Sequence, residues 1–231
     1  GKVFTEADPE VSEAIDFAEY YPFSTTAFSD IDPLRCRGKG VGVVISPWNF
    51  PIAIPCGGIV AALAAGNTVI FKPSSDALLV AWVLCQCFWR AGVSRNTLQL
   101  VHCSGATTAA KLTKNPAVDF IILTGGTATG LSILKQRPDI LLAAETGGKN
   151  ATIVTAMSDR DQAISNVIYS AFGNSGQKCS ATSLLILEEE VYEDPEFKRA
   201  LCDAVRSLPV GSSWPLALRD VRCRVAGRVK K

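Results

Sequence analysis

Short apolar runs alternate with longer segments of helical period along most of this chain. Residues 8 to 21 set Val11, Ala14, Ile15, Phe17, Ala18 and Tyr21 at helical spacing. Asp8 before Pro9 supplies a cap and first turn, and Pro22 predicts the helix end. Gly40 to Ile45 reads as a buried strand, followed by a helix over about 52 to 65 that is small and apolar all round. Gly66-Asn67 closes that helix, and Thr68 to Lys72 is the next strand. The alternation predicts a helix near 76–91, a strand at 98–101, a helix near 106–114 and a strand at 119–123. A helix near 127–136 and a strand over Ile140 to Ala144 complete the series.

Strands that are apolar throughout and separated by helices predict an α/β fold, a parallel sheet flanked by helices on both faces. Such sheets bind ligands at the carboxyl ends of their strands, where Lys72, Thr124 and Glu145 fall. Residues 1–146 are therefore expected to form a Rossmann-like nucleotide domain. The pattern restarts with a strand at 151–154, a helix at 159–172, a strand at 183–187 and a helix near 195–207. Residues 147–213 are expected to begin a second α/β domain. From Pro215 the period fades, and six basic side chains stand against only Asp220. Residues 214–231 read as an atypical basic tail, either a nucleic-acid or lipid arm or an end that contributes nothing; composition favours the latter.

Composition narrows the function classes. The 231 residues are 48% hydrophobic with a net charge of +1, so no global field favours nucleic acid or an anionic membrane. No run of about 20 apolar residues is present, and no membrane span is expected. Eight cysteines include no C-x-x-C pair, and His102 is the sole imidazole, which argues against a zinc site. The cysteine usage fits a reducing, cytoplasmic compartment. The chain opens on Gly1-Lys2-Val3-Phe4, without a start methionine or a signal-peptide pattern, and is expected to be a piece of something longer.

Five stretches carry candidate chemistry, each with a plain alternative. Ser46-Pro47-Trp48-Asn49-Phe50-Pro51 joins a strand to a helix on a turn stiffened by two prolines. Asn49 could donate from its amide there, or merely cap the helix. Lys72-Pro73-Ser74 ends a strand with a cation that could meet ribose or phosphate, or simply face water. Thr124-Gly125-Gly126-Thr127-Ala128-Thr129-Gly130 leads from strand to helix, where its amides could hold a pyrophosphate; a glycine turn alone is weak grounds. Glu145-Thr146-Gly147-Gly148-Lys149-Asn150 sets a carboxylate beside flexible positions, or is a turn. Gly176-Gln177-Lys178-Cys179-Ser180 presents a cysteine behind a small, polar approach, either a nucleophile or an incidental thiol.

In this order the five stretches resemble the aldehyde dehydrogenase superfamily over about residues 1 to 213. The wording of Glu6 to Phe17, Glu145 to Asn150 and Ser175 to Ala181 is most similar to the 1-pyrroline-5-carboxylate (glutamate-semialdehyde) dehydrogenases, including the aldehyde-oxidising part of bifunctional proline-catabolic enzymes. The resemblance implies that Cys179 attacks the aldehyde and that Asn49 and the Cys179 amide stabilise the oxyanion. It implies that Glu145 activates the hydrolytic water. It assigns cofactor contacts to Ile45, Ser46, Pro47, Trp48, Lys72, Ser75, Gly105, Thr124, Gly125, Gly126, Gly130, Thr146 and Gly147. NAD is the implied cofactor. Ser75 stands where the family often has glutamate, which leaves NADP open, and Gly126 replaces the usual serine.

The same resemblance makes 1–146 a partial NAD(P)-binding domain and 147–213 a partial catalytic domain. The implied partner is a small aldehyde, with neither nucleic acid nor membrane, in a longer form that is a homo-oligomer or part of a bifunctional chain. Much of the family's active-site wall lies beyond the residues present, so the piece alone is expected to turn over poorly. Two other readings are a dinucleotide-binding module that has lost catalysis and a cysteine acyl hydrolase. The latter is disfavoured because His102 sits at a strand end of the nucleotide domain, with no evident base beside Cys179.

Overall fold

The computed structural model describes residues 2–29, 31–33, 35–103, 108–211 and 222–223. It divides into two compact units, Pro9–Thr146 and a second made of Gly1–Asp8 with Gly147 onward, and each is described separately.

The larger unit holds one five-stranded, all-parallel sheet in the order β3-β2-β1-β4-β5. The strands are β1 (Val41–Ile45), β2 (Thr68–Lys72), β3 (Leu98–Leu100), β4 (Phe120–Gly125) and β5 (Leu141–Thr146). Between them run α2 (Ala53–Ala64), α3 (Leu78–Arg90), α4 (Thr108–Lys114) and α5 (Thr127–Gln136). Alternate residues of the central strands enter two separate cores, as a two-residue side-chain period requires. Val44, Val69, Phe71, Leu98 and Phe120 pack with α2 and α3, joined by Ala14 of α1 (Phe4–Ser29). Val43, Ile121 and Leu123 face the other way and pack with Ile133 of α5 and, at the cluster edge, Leu112 of α4. Helices on both faces explain why β1, β2 and β4 are apolar on both sides. β5 departs from that expectation. It is an edge strand with Leu141 half exposed and Ala143 and Ala144 open to solvent.

Two glycines are required by this packing. A Cβ on Gly42 would lie 2.2 Å from the Phe120 ring. Gly66 follows α2 at φ +79°, and the Asn67 amide donates back to Ala62 O at 3.1 Å, which ends the helix as Gly66-Asn67 predicts. Asn67 then holds the approach to β1, since its Oδ1 accepts from Lys39 N at 2.6 Å and Gly40 N at 3.1 Å.

Helix α1 corrects one expectation. It begins at Phe4 rather than at Asp8, with Val3 O accepting from Glu6 N and Ala7 N, and it runs through Pro22 to Ser29. Proline removes one N–H from the ladder, yet downstream residues can still make theirs. Here the hydroxyls of Ser24, Thr25 and Thr26 also donate back to Tyr20, Pro22 and Phe23 carbonyls. Strand β5 also runs further than expected, so Glu145 and Thr146 are its last residues rather than a turn.

The second unit pairs β6 (Asn150–Val154) with β7 (Thr182–Leu187) in parallel across α6 (Arg160–Phe172). Its core gathers Val154, Ile164, Ile168 and Phe197, the last from α8 (Pro195–Arg206), with Val191 from α7 (Glu189–Tyr192). Asp159 caps α6 by accepting from Gln162 N at 2.8 Å, and Asp194 caps α8 from Glu196 N at 2.9 Å. β8 (Val210–Gly211) pairs with β9 (Arg222–Cys223), a strand in the tail where the sequence predicts none. No helix among the described residues is long and apolar enough to cross a membrane.

Candidate active site

In the larger unit the chain reverses its direction of winding at β1. From there β2 and β3 are added on one side, β4 and β5 on the other. The loops leaving β1 and β4 therefore diverge to opposite faces and open a crevice at the carboxyl edge, the position where open α/β sheets bind ligands. A cleft of about 570 Å³ lies there. Its walls are Ile45, Ser46, Pro47 and Trp48 after β1, Lys72 and Ser74 after β2, and Thr124, Gly125 and Gly126 at the end of β4. Residues of α4, including Thr113, and of α5 along its length from Ala128 and Thr129 to Gln136 complete it.

Local chemistry sets this shape. Ser46 N donates to Lys72 O at 3.3 Å, so the two strand ends stay in step beyond the ladder. Lys72 is buried, and its Nζ donates to Pro73 O at 3.2 Å, one of three donors an ammonium carries. Gly126 precedes α5 in extended conformation without a side-chain cap, which leaves the helix N-terminus lined by backbone and by the hydroxyl of Thr129. The partial positive charge of such a terminus favours an anion. Trp48 is 46% exposed and offers one apolar wall.

Eight of the expected cofactor positions thus share one cleft: Ile45, Ser46, Pro47, Trp48, Lys72, Thr124, Gly125 and Gly126. Others fall elsewhere. Ser75 starts a 3-10 turn and faces solvent, and its neighbour Ser74 takes the place on the wall. Gly130 is buried in α5 beneath Leu123, and Thr146 is exposed at the end of β5. Gly147 belongs to the second unit, and Gly105 lies outside the described residues. Glu145 is exposed on β5, opposite Thr124 in the ladder. Asn49 is half-buried in the turn between β1 and α2, outside the cleft lining.

That turn depends on a residue to which the motifs assign no role. Glu10 of α1 is 3% exposed, and its carboxylate accepts from Ile52 N at 2.7 Å and Ala53 N at 3.3 Å. Ile52 has no side-chain cap to offer, so Glu10 serves the orphan amides of α2 from another helix. The signal missed is the sequence itself: an apolar N-cap position implies that the acceptor comes from elsewhere.

In the second unit Cys179 is exposed in a turn after a short 3-10 segment (Gly173–Gly176). It contrasts with Cys56 and Cys85 of the larger unit's core. Burial pushes both of those thiols up to about 11, with Cys87 adding to the effect on Cys56. Thiolate is the nucleophile, so those two are poor nucleophiles at neutral pH. Among the described residues no cluster of His, Cys, Asp and Glu could hold a metal ion.

A doubly wound α/β unit with a switch-point cleft, followed by a second unit exposing a cysteine on a tight turn, defines the class. The aldehyde dehydrogenase family pattern matches residues 1–219, and the chain belongs to that family. It is 40% identical over 211 residues to a 1-pyrroline-5-carboxylate dehydrogenase of Geobacillus thermodenitrificans, covering 84% of this chain and 41% of that protein. A Bacillus subtilis protein of the same name is 36% identical over 212 residues, again 84% of this chain and 41% of that one. Among solved structures, proline utilization A from Corynebacterium freiburgense superposes with a TM-score of 0.88 at 44% identity, over 94% of this chain and 22% of that one. A Thermus 1-pyrroline-5-carboxylate dehydrogenase with bound NAD gives 0.85 at 36% identity, over 92% and 45%. The chain spans about two-fifths of the length of the curated relatives it matches.

Proposed function

We propose that this chain is the dinucleotide-binding and nucleophile-bearing part of an NAD-dependent aldehyde dehydrogenase that oxidises glutamate γ-semialdehyde to glutamate. The observation that carries the reading is the switch-point cleft in a chain of this family whose exposed turn bears Cys179. The similarity to 1-pyrroline-5-carboxylate dehydrogenases supports the substrate, and the NAD-bound Thermus relative supports the cofactor.

The cleft fits such a cofactor. Its volume lies in the roughly 300–1,000 Å³ range of small-molecule sites, and it combines a cation, a helix N-terminus and an indole. Ser46, Lys72, Thr124 and the first turn of α5 would hold a dinucleotide, with Lys72 at its ribose or phosphate oxygens. When bound, that group supplies the acceptor for hydride. The remaining chemistry belongs to the side chains. Cys179 as thiolate attacks the aldehyde carbon, forming a C–S bond while the carbonyl π electrons move to oxygen. The Asn49 amide and the Cys179 N–H donate to that oxyanion, each donor being worth about 3 kcal/mol in comparable sites. After oxidation to the thioester, Glu145 takes a proton from water, whose oxygen displaces Cys179 and releases the acid.

The working form is proposed to be longer than 231 residues, either a separate dehydrogenase like the Thermus protein or a segment of a larger chain like that of Corynebacterium. A reducing, cytoplasmic compartment is proposed on the seven described cysteines, all of them free thiols.

The test is NADH formation followed at 340 nm with glutamate γ-semialdehyde and the full-length protein, parent against Cys179→Ala. Aldehyde-dependent NADH that vanishes in the variant is expected. Dinucleotide binding without NADH formation would assign a binding module instead, and ester hydrolysis in its absence would assign a cysteine hydrolase.

A further inference from the structure

The turn that carries Cys179 is held from both sides by side chains to which neither fold nor motif assigns a task. Asn150 opens β6, and its Nδ2 donates to Cys179 O at 2.6 Å and to Ala181 O at 3.1 Å. The β6–β7 ladder does not need these bonds. Asn150 is opposed by Thr182, and the register shifts immediately after it. On the upstream side, Glu6 Oε1 accepts from Asn174 N at 2.6 Å across 168 residues of chain. Asn174 and Ser175 sit at φ 51° and 57°, and Gly176 at 71°, three successive left-handed residues. L-residues avoid that region, and such a run keeps its shape only where its surroundings determine it. Asn174 O adds to this by accepting from Gln177 N at 3.0 Å and Gln177 Nε2 at 3.2 Å.

Cys179 and Ser180 are exposed and Ala181 is half-buried, so water could reach the Cys179 carbonyl, and in part that of Ala181, if Asn150 did not bond them. Stability alone gives little reason to order a half-buried amide against them. Direction does. The two bonds fix the Cys179–Ser180 and Ala181–Thr182 peptide planes just downstream of the Cys179 Cα, and Glu6 fixes the left-handed run upstream of it. Together they set where the Cys179 Sγ and N–H point.

We infer that Asn150 and Glu6 are positioning residues that clamp the Cys179 turn in its attacking geometry. The inference rests on Cys179 being the nucleophile of the proposed reaction.

The experiment uses the full-length protein with Asn150→Asp, which keeps the shape but turns the donor into a carboxylate facing two carbonyls. Glu6→Ala and Glu6→Gln form a second pair, since glutamine retains an acceptor for Asn174 N. For Asn150→Asp, kcat/KM for the aldehyde is expected to fall about 100-fold, the loss a displacement of about 1 Å can cause. NAD affinity should stay within about twofold, because the cleft residues are untouched. Glu6→Ala should lose about 10-fold or more and Glu6→Gln should keep most of the parent rate, a rescue that a purely steric role would not give.

Site-resolved alkylation by iodoacetamide supplies the readout independent of turnover. The Cys179 rate should change several-fold in Asn150→Asp and Glu6→Ala, while exposed Cys36 and Cys87 react as in the parent. Rates at Cys179 and kcat/KM both within twofold of the parent overturn the clamp. If Asn150→Asp does not fold, the Glu6 pair decides by the same criterion. A parent that forms no NADH from the aldehyde, with Cys179 alkylation still responding to Asn150→Asp, removes the catalytic reading and leaves the clamp standing.

Discussion

Removing the Glu10 carboxylate should unfasten the start of α2 and, with it, the Ser46–Pro51 turn. Glu10 is almost fully buried and accepts from two successive backbone amides at 2.7 and 3.3 Å. A hydrogen bond to a charged group is worth about 1.5–3 kcal/mol, and an amide left buried without a partner costs about 1–3 kcal/mol. The shorter bond dominates, so Glu10→Ala is expected to destabilise the larger unit by about 3 kcal/mol. Glu10→Gln keeps an acceptor without the charge and should cost about 1 kcal/mol. At about 2–4 °C per kcal/mol for a chain of this size, the alanine variant should melt about 6–12 °C lower. Calorimetry measures that shift, and amide exchange of the peptide around Ile52 and Ala53 localises it. An alanine variant that melts within about 2 °C of the parent, with unchanged exchange at those amides, would refute the assigned cap.

Two further outcomes follow from the core. Cys56 and Cys85 keep their protons to about 11 when folded against an ordinary value of 9.0, so between those values the folded chain binds more protons than the unfolded one. Stability must then fall as pH rises from 9 to 11, by up to about 1.4 kcal/mol per pH unit for each thiol. Melts across that window should show a shallower slope in Cys56→Ala than in the parent, and equal slopes would contradict burial as the cause. At Gly42 a methyl would meet three atoms of the Phe120 ring at 2.2–2.8 Å, so Gly42→Ala should cost about 1–3 kcal/mol in urea unfolding. Phe120→Leu in the same chain should recover part of that loss, and simple additivity of the two changes would show that the ring is not the obstacle.

Much of the larger unit could be read from its letters because its central strands are buried on both faces and α2 and α3 run out at Gly66 and Gly92, where local and global preferences agree. β1, β2 and α5 lie where the apolar runs place them. The failures have physical causes. A helix through Pro22 persists because proline deletes only its own N–H while the residues beyond it continue the ladder, which no apolar period records. The exposure of β5 depends on its place at the sheet edge, which follows from strand order rather than from composition. At the cleft, the strand-end positions were legible because the switch point fixes them, whereas the exchange of Ser74 for Ser75 turns on the first residues of a 3-10 turn. Glu6, Glu10 and Asn150 act on backbone amides and carbonyls remote in the chain, and even where an apolar N-cap such as Ile52 marks a missing acceptor, the sequence does not say which distant side chain supplies it.

The reversal of winding at β1 has a kinetic corollary. Val41 and Asp119 join one flank of that strand although 78 residues separate them. During synthesis at about 5–20 residues per second, β1 waits about 4–16 s for its second neighbour after it is made. For that interval a hydrophobic ribbon in the middle of the future sheet is paired on one side at most, which is when a nascent chain is most exposed to mispairing and has most use for a chaperone.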